Sequence, residues 1–388
     1  MNTTYTEQID AAVRHFRTLL EGQLAREDRM EQAAPAKDFL HLDTITVGIC
    51  GGDGIGPIIV DSAQTVLEHL LKEPIERGRV ILKRIEGLTL ENRLAHGQAV
   101  PDDVMAEIKT CDVLLKGPTT TPQGANTLGS ANVKIRRELD LYANVRPVRV
   151  PELGIDWCFF RENTEGEYAL GGDGIEIPDK LAMDFKVTTD AGTRRIARAA
   201  FEYARANGKT KVAIVTKNNV IKKTDGRFSR LCHEVAADYP EITAADYIAD
   251  IVTASLIDPY RQKDYEVFVL PNLYGDIITD EAAQLQGGVG TAGSSNLGDQ
   301  YAMFEAIHGS APRKIERGEG AYANPTSILR AAEFLLRHVG LFDEADRLGK
   351  ALSVCCETEK AVVITGHRDG ATCAEFTDYL LRTLENEG

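Results

Sequence analysis

Two carboxylates, Asp276 and Asp280, stand four residues apart in the segment Asn272-Leu273-Tyr274-Gly275-Asp276-Ile277-Ile278-Thr279-Asp280, directly after the strand-like run Val267-Phe268-Val269-Leu270. A helix over that segment puts both on one face, one turn apart. Charges held that close repel each other unless a cation lies between them, and a hard divalent ion with oxygen ligands, Mg²⁺ or Mn²⁺, is the expected answer. A solvated acidic helix start is the competing reading, because the helix dipole favours Asp near an N-terminus.

Two basic blocks complement the pair. The stretch Ser130-Ala131-Asn132 through Arg146-Pro147 carries Arg136 and Arg146, and Arg161 closes the aromatic run Trp157-Cys158-Phe159-Phe160. The planar fork of arginine grips a carboxylate through two hydrogen bonds, so three arginines at element ends predict a polycarboxylate pocket in an acidic protein. Taken singly, each would default to a surface salt bridge. Lys217 follows the run Val212 to Val215, at the strand end where α/β sheets bind ligands, and a lysine beside a cation can serve as acid or base. Lys222 and Lys223 read as solvated helix residues.

The elements that must position these groups alternate between strand-like runs (Thr44 to Ile49, Val80 to Leu82, Val113 to Leu115, Trp157 to Phe160, Val212 to Val215, Val267 to Leu270) and helix-like stretches such as Thr193 to Ala206. That alternation predicts an α/β sheet covered by helices. Residues 4–31 are predicted to form an amphipathic helix: Thr4 and Glu7 fit a capping box, and Ile9, Val13, Phe16, Leu20 and Leu24 recur at helical spacing, for packing on the body or on a second subunit. Gln32 to Lys37 reads as a linker. Two glycine runs fall short of a dinucleotide fingerprint. Gly51-Gly52-Asp53-Gly54-Ile55-Gly56-Pro57 has proline where the third glycine belongs, and Gly288 to Gly293 follows helix-like residues instead of a strand.

The chain has 388 residues and a net charge of −15, which argues against a nucleic-acid partner. Its seven cysteines lack CxxC spacing and predict buried free thiols in a reducing compartment. No apolar run is long enough to span a bilayer, no signal-peptide core is present, and the leader is too acidic for a transit peptide, so a cytoplasmic protein is expected.

The chain resembles the isocitrate and isopropylmalate dehydrogenases, the metal-dependent β-decarboxylating dehydrogenases, from about Thr44 onward. The resemblance is carried by Gly52 to Pro57, Lys116-Gly117-Pro118, Leu141 to Pro147, Arg161-Glu162-Asn163-Thr164-Glu165-Gly166-Glu167-Tyr168, Asn272 to Asp280, His308-Gly309-Ser310-Ala311-Pro312 and Ala323-Asn324-Pro325. It implies an α/β, isopropylmalate-dehydrogenase-like two-domain fold, not a Rossmann fold, with an extra N-terminal helix. The implied division is 1–40 as extension and linker, 41–141 plus 287–388 as a large cofactor-side domain, and 142–286 as a small domain with the dimer interface. Implied roles follow the matching residues. Arg136, Arg146 and Arg161 hold substrate carboxylates. Asp276, Asp280 and a partner subunit's copy of Asp250 ligate the metal. Tyr168 and Lys217 form the proton-transfer pair, with Lys217 crossing a homodimer interface. Thr121 and Asn219 meet the nicotinamide half of the cofactor, and His308, Gly309 and Asn324 its adenine half.

The same resemblance orders the substrates. Ser130 and Asn132 match the isocitrate type, and burying both against an apolar substituent would cost roughly 1–3 kcal/mol each. Ser130 as a plain helix cap is compatible with any substrate. Homoisocitrate, isopropylmalate, tartrate, D-malate and a phosphonate analogue are the alternatives. Arg313 and Lys314, with Arg368 nearby, stand where NAD-type members carry an Asp, so NADP⁺ is expected, with NAD⁺ the alternative. A non-catalytic regulatory subunit would be expected to lose some of Tyr168, Lys217 and the aspartates, and a tricarboxylate-sequestering protein would not need Asn324.

Overall fold

A computed structural model describes residues 3–32, 34–124, 127–288 and 292–386. The chain divides into two compact units, Met1–Pro35 with Val150–Glu281, and Ala36–Arg149 with Ala282–Gly388.

In the second of these, the strands lie in the order Val80–Ile85, Ile45–Cys50, Val113–Lys116, Ala302–Ala306, Gly293–Leu297, Ala143–Val150. The first four pair in parallel, and Gly293–Leu297 runs antiparallel to both its neighbours. Side chains alternate across the sheet. Val113 and Leu115 join one apolar cluster with the helices Gly56–Leu70, Thr326–His338 and Phe342–Ser353, while Leu114 joins another with Val104, Ile108 and Ile135. A parallel sheet covered on both faces needs such near-continuous apolar strands.

The other unit is built on parallel strands in the order Ile155–Glu162, Val267–Leu270, Lys211–Thr216, Thr243–Ile248. Val267–Leu270 is buried throughout, as its unbroken Val-Phe-Val-Leu sequence requires. The helix Asn272–Leu285 follows it after Pro271. The helix Asp190–Ala206 is capped by Thr189, whose hydroxyl accepts from Gly192 N.

The leader forms one helix, Thr3–Glu31, as its periodicity predicts; the side chain of Thr4, and with it the capping box, lies outside the described residues. The apolar row behaves differently from one reading of it. Ile9, Val13, Phe16, Leu20 and Leu24 are 43–60% exposed, so they do not bury themselves on the body. The neighbouring row Leu19, Gln23, Arg26 and Met30 is half-buried instead. Polar groups anchor that side: Arg26 binds Glu165 and Thr164, and Glu27 accepts from Ala191 N at the start of the helix Asp190–Ala206.

Smaller differences follow from helix starts. Lys222 and Lys223 are exposed, but they occupy the turn before the helix Thr224–Ala236. In the glycine run 288–293, Val289, Gly290 and Thr291 lie outside the described residues, and the helix before it ends at Leu285. All seven cysteines are free, and all but the half-buried Cys356 are buried. Among the described residues no helix is long and apolar enough to cross a membrane.

Candidate active site

Arg161 ends the strand Ile155–Glu162, is almost fully buried, and turns its whole fork toward the helix Asn272–Leu285. Its Nε and Nη2 donate to Asn272 Oδ1 at 3.0 and 2.6 Å, and its Nη1 pairs with Asp276 Oδ1. Gly275 makes this approach possible, since a Cβ there would lie 2.5 Å from Arg161 Cγ. Tyr168 donates from its hydroxyl to Asp276 Oδ2 at 3.1 Å. Burial and the Asp276 charge raise the tyrosine pKa, so the phenol keeps its proton at neutral pH. Asp280 follows one turn later on the same helix, as the i, i+4 spacing predicts, and is exposed.

Two carboxylates on one helical face suit Mg²⁺ or Mn²⁺, because a small hard cation is commonly held by one or two protein carboxylates, with waters and substrate oxygens completing the shell. Among the described residues no group of three or more His, Cys, Asp or Glu side chains converges on one point.

Lys217 directly follows the strand Lys211–Thr216. Its backbone N–H donates to the buried Asp225 Oδ2 at 2.7 Å, and its ammonium pairs with Asp250 in the first turn of the helix Ala249–Leu256. The Lys217 hydrogen bond lowers the Asp250 pKa. None of the hydrogen bonds of Lys217 or Tyr168 joins these two side chains, so the unit presents two groupings: Arg161–Asn272–Asp276–Tyr168 and Lys217–Asp250. Asn219 lies exposed in the turn after Lys217.

In the other unit Arg136 lies on the helix Ala131–Glu138, whose cap is Ser130, with Oγ accepting from Val133 N at 3.4 Å. Asn132 Oδ1 accepts from Thr119 Oγ1 at 3.1 Å. Arg136 Nη2 binds Glu305 Oε1 at 2.8 Å, and Lys116 Nζ meets Glu305 Oε2 at 3.1 Å. Burial alone would raise the Glu305 pKa, but Lys116 and Arg136 reverse this and hold it down at about 2. Arg136 Nε is buried without a hydrogen-bond partner, leaving a donor that an anion would satisfy. Arg146 is buried on the strand Ala143–Val150.

The same unit ties three loops together through backbone contacts. Asp53 N donates to Pro118 O at 2.8 Å and Ile55 N to Ser310 O at 2.9 Å. Gly52 and Gly54 have positive φ, and a Cβ on either would lie 2.3 Å from Pro118 O or 2.0 Å from Ser310 O. The glycines flanking Asp53 are thus close-approach residues. Asp53 itself accepts from Leu90 N and Thr120 N, and Thr120 Oγ1 meets Ser310 Oγ at 2.6 Å. Thr121 is exposed beside Thr120, and Gly309 is exposed with open space around its Cα. Burial lowers the His308 pKa, favouring the neutral imidazole; its Nδ1 lies 3.0 Å from Gly309 O, and its buried Nε2 has no partner. Asn324 Oδ1 accepts from the N and Oγ1 of Thr326, the first residue of the helix Thr326–His338. Lys314 donates to Gly366 O and Arg368 to Arg317 O, while Arg313 is exposed.

Sequence reasoning did not single out Asn272, Asp225, Lys116 or Glu305. Asn272 opens the Asp276 segment and Lys116 opens the landmark Lys116-Gly117-Pro118, so both carried a signal; Glu305 acts through partners far away in the chain, and Asp225 meets Lys217 across a local turn.

The family model for isocitrate/isopropylmalate dehydrogenase matches residues 46–380. The chain is 36% identical to isocitrate dehydrogenase [NADP] of Thermus thermophilus over 352 residues, covering 87% of this chain and 67% of that protein. It is also 36% identical to isocitrate dehydrogenase [NAD] subunit 2, mitochondrial, of Schizosaccharomyces pombe, covering 79% of each. The crystal structure of isocitrate dehydrogenase from Methylococcus capsulatus matches with a TM-score of 0.77 at 32% identity, covering 88% of this chain and 99% of that one. On the family match and these identities, the chain belongs to the isocitrate/isopropylmalate dehydrogenase family.

Proposed function

We propose that the protein oxidises isocitrate and decarboxylates the product to 2-oxoglutarate, with Mg²⁺ or Mn²⁺ and a nicotinamide cofactor. The observation that carries the reading is Asp276, held between Arg161 and Tyr168 and one turn from Asp280. In this reading Arg136, Arg146 and Arg161 hold the substrate carboxylates, and Ser130 and Asn132 read the third one. Asp276 and Asp280 hold the metal together with Asp250 of a second copy in a homodimer. When bound, the metal lowers the pKa of the substrate hydroxyl and offsets the charge that builds as CO₂ leaves. Tyr168 enters the step protonated and delivers its proton to the carbon that loses CO₂, and the charge of a partner's Lys217 favours its recharging.

For the cofactor we favour NADP⁺ with Arg313 on the 2′-phosphate. Lys314 and Arg368 are engaged with backbone carbonyls and would have to release them to assist. His308, Gly309, Asn324, Thr121 and Asn219 take the remaining cofactor roles. NAD⁺ is the alternative, since the relatives named above include both types. Retention of Tyr168, Lys217, Asp276 and Asp280 favours a catalytic chain over a regulatory subunit.

The test is the initial rate of nicotinamide reduction with D-isocitrate and Mg²⁺, using NADP⁺ or NAD⁺, with a chelator control. Chelator-sensitive turnover supports the reading, and the faster cofactor identifies the nucleotide. Silence with both cofactors overturns isocitrate and directs the assay to homoisocitrate, isopropylmalate, tartrate, D-malate or a phosphonate analogue.

A further inference from the structure

The leader helix lies outside the family match at residues 46–380, yet one of its side chains reaches the segment that carries Tyr168. Arg26 Nη1 donates to Glu165 Oε1 at 2.9 Å and its Nη2 to Thr164 Oγ1 at 3.0 Å. Glu165 is 3% exposed and also accepts from Thr189 N and Oγ1, at the cap of the helix Asp190–Ala206. Its backbone carbonyl accepts from Asn272 Nδ2 at 3.0 Å, and Asn272 in turn holds Arg161. The next residue, Gly166, has φ +74° and exchanges backbone hydrogen bonds with Val187. Tyr168 follows two residues later, with its hydroxyl on Asp276.

Upstream, Glu162 is buried and accepts from Thr164 N and Oγ1 and from Glu165 N. Two buried carboxylates three residues apart therefore share one tight turn. Such a pair is costly without a cation: the Arg195 charge favours an ionised Glu162, and Arg26 supplies a forked cation to Glu165 from another element. Arg195 stands nearby, with Nη2 on Thr164 Oγ1 at 3.3 Å, and Glu27 faces the start of the helix Asp190–Ala206.

We propose that Arg26 is a positioning residue: by clamping Glu165 and Thr164 from the leader helix, it holds the Glu162–Tyr168 segment so that the Tyr168 hydroxyl stays on Asp276. This rests on the functional reading above. Displacing a proton donor by a fraction of an ångström slows its step with little effect on substrate affinity, and a loss of roughly ten-fold in kcat is expected.

The experiment compares full-length wild type with Arg26→Ala, Arg26→Lys and the outward-facing control Val13→Ser, by kcat, KM for isocitrate, Tm and amide hydrogen exchange. The proposal expects Arg26→Ala to lower kcat while KM moves less than two-fold, with faster exchange confined to residues 164–168. Arg26→Lys should recover most of kcat, and Val13→Ser should match wild type. Wild-type kcat in Arg26→Ala overturns the proposal, as does a loss that only tracks a fall in Tm with exchange raised throughout the unit. A wild type silent on isocitrate would sink the functional reading, whereas the exchange comparison needs no substrate and still decides the role of Arg26.

Discussion

Glu305 offers the sharpest test of the electrostatics, because one buried carboxylate is shared by two cations. Lys116 is fully buried and Arg136 nearly so; both meet Glu305, and Asn296 Nδ2 adds a hydrogen bond at 2.9 Å. Replacing Glu305 by Gln keeps the volume and removes the charge, leaving an ammonium and a guanidinium facing each other across an amide. Breaking a buried pair in this way costs about 3–5 kcal/mol. The carboxyl pKa gives a second route to the magnitude. Its fall from 4.5 to about 2 corresponds to roughly 3 kcal/mol of stability at neutral pH. The two routes meet at about 3 kcal/mol, and with about 2–4 °C per kcal/mol for a large domain the E305Q variant should melt roughly 6–12 °C below wild type at pH 7. Because the folded-state pKa is depressed, this stabilisation is present above the unfolded pKa and is lost as pH falls through the folded one. The Tm gap should therefore close as the pH drops from about 5 toward 2. Scanning calorimetry of both proteins across that range reads it directly. A gap under 2 °C at pH 7, or one that stays constant on acidification, would refute the reasoning.

Three further outcomes follow from the geometry. Asp276→Asn removes a carboxylate that Arg161 and Tyr168 share; kcat should fall by roughly 10²-fold or more, and the Mg²⁺ concentration for half-maximal rate should rise, as metal-titrated initial rates will show. Gly54→Ala places a Cβ 2.0 Å from Ser310 O at positive φ, so the joint between the loops at 52–55 and 310 must open; a loss of about 2–3 kcal/mol in urea unfolding is expected, and an unchanged midpoint would contradict it. If Arg313 binds a 2′-phosphate, Arg313→Asp should raise KM for NADP⁺ by about ten-fold or more while sparing NAD⁺, and an equal effect on both cofactors would remove Arg313 from the site.

Much of this protein is local and could be read from the chain alone. The run Val267–Leu270 announces a buried strand, the next segment continues as a helix, and a spacing of four puts Asp276 and Asp280 on one face whatever the rest of the fold does. The leader helix is legible for the same reason, since backbone periodicity needs no distant partner. Its packing is not, because the side that docks is decided by Arg26 meeting Glu165, 139 residues away. The strand Gly293–Leu297 escaped notice because Gly-Ser-Ser-Asn-Leu lacks apolar alternation. Its polar side chains can be buried because they are satisfied there: Ser294 and Asn296 accept from Asn144 on the neighbouring strand, and Asn296 donates to Glu305. Thr243–Ile248 was missed as well, a half-exposed outer strand whose Thr-Ala-Ala-Asp-Tyr-Ile sequence lacks a continuous apolar signal. The site divides along the same line. Residue types and spacing determined the aspartate pair and the candidate arginines, but only the tertiary structure decided that Asp276 is shared by Arg161 and Tyr168, that Lys217 pairs with Asp250, and that Glu305 sits between Lys116 and Arg136. The physical reason is that an ion pair or hydrogen bond forms wherever the fold brings complementary groups within about 3 Å, a distance unrelated to their separation along the chain.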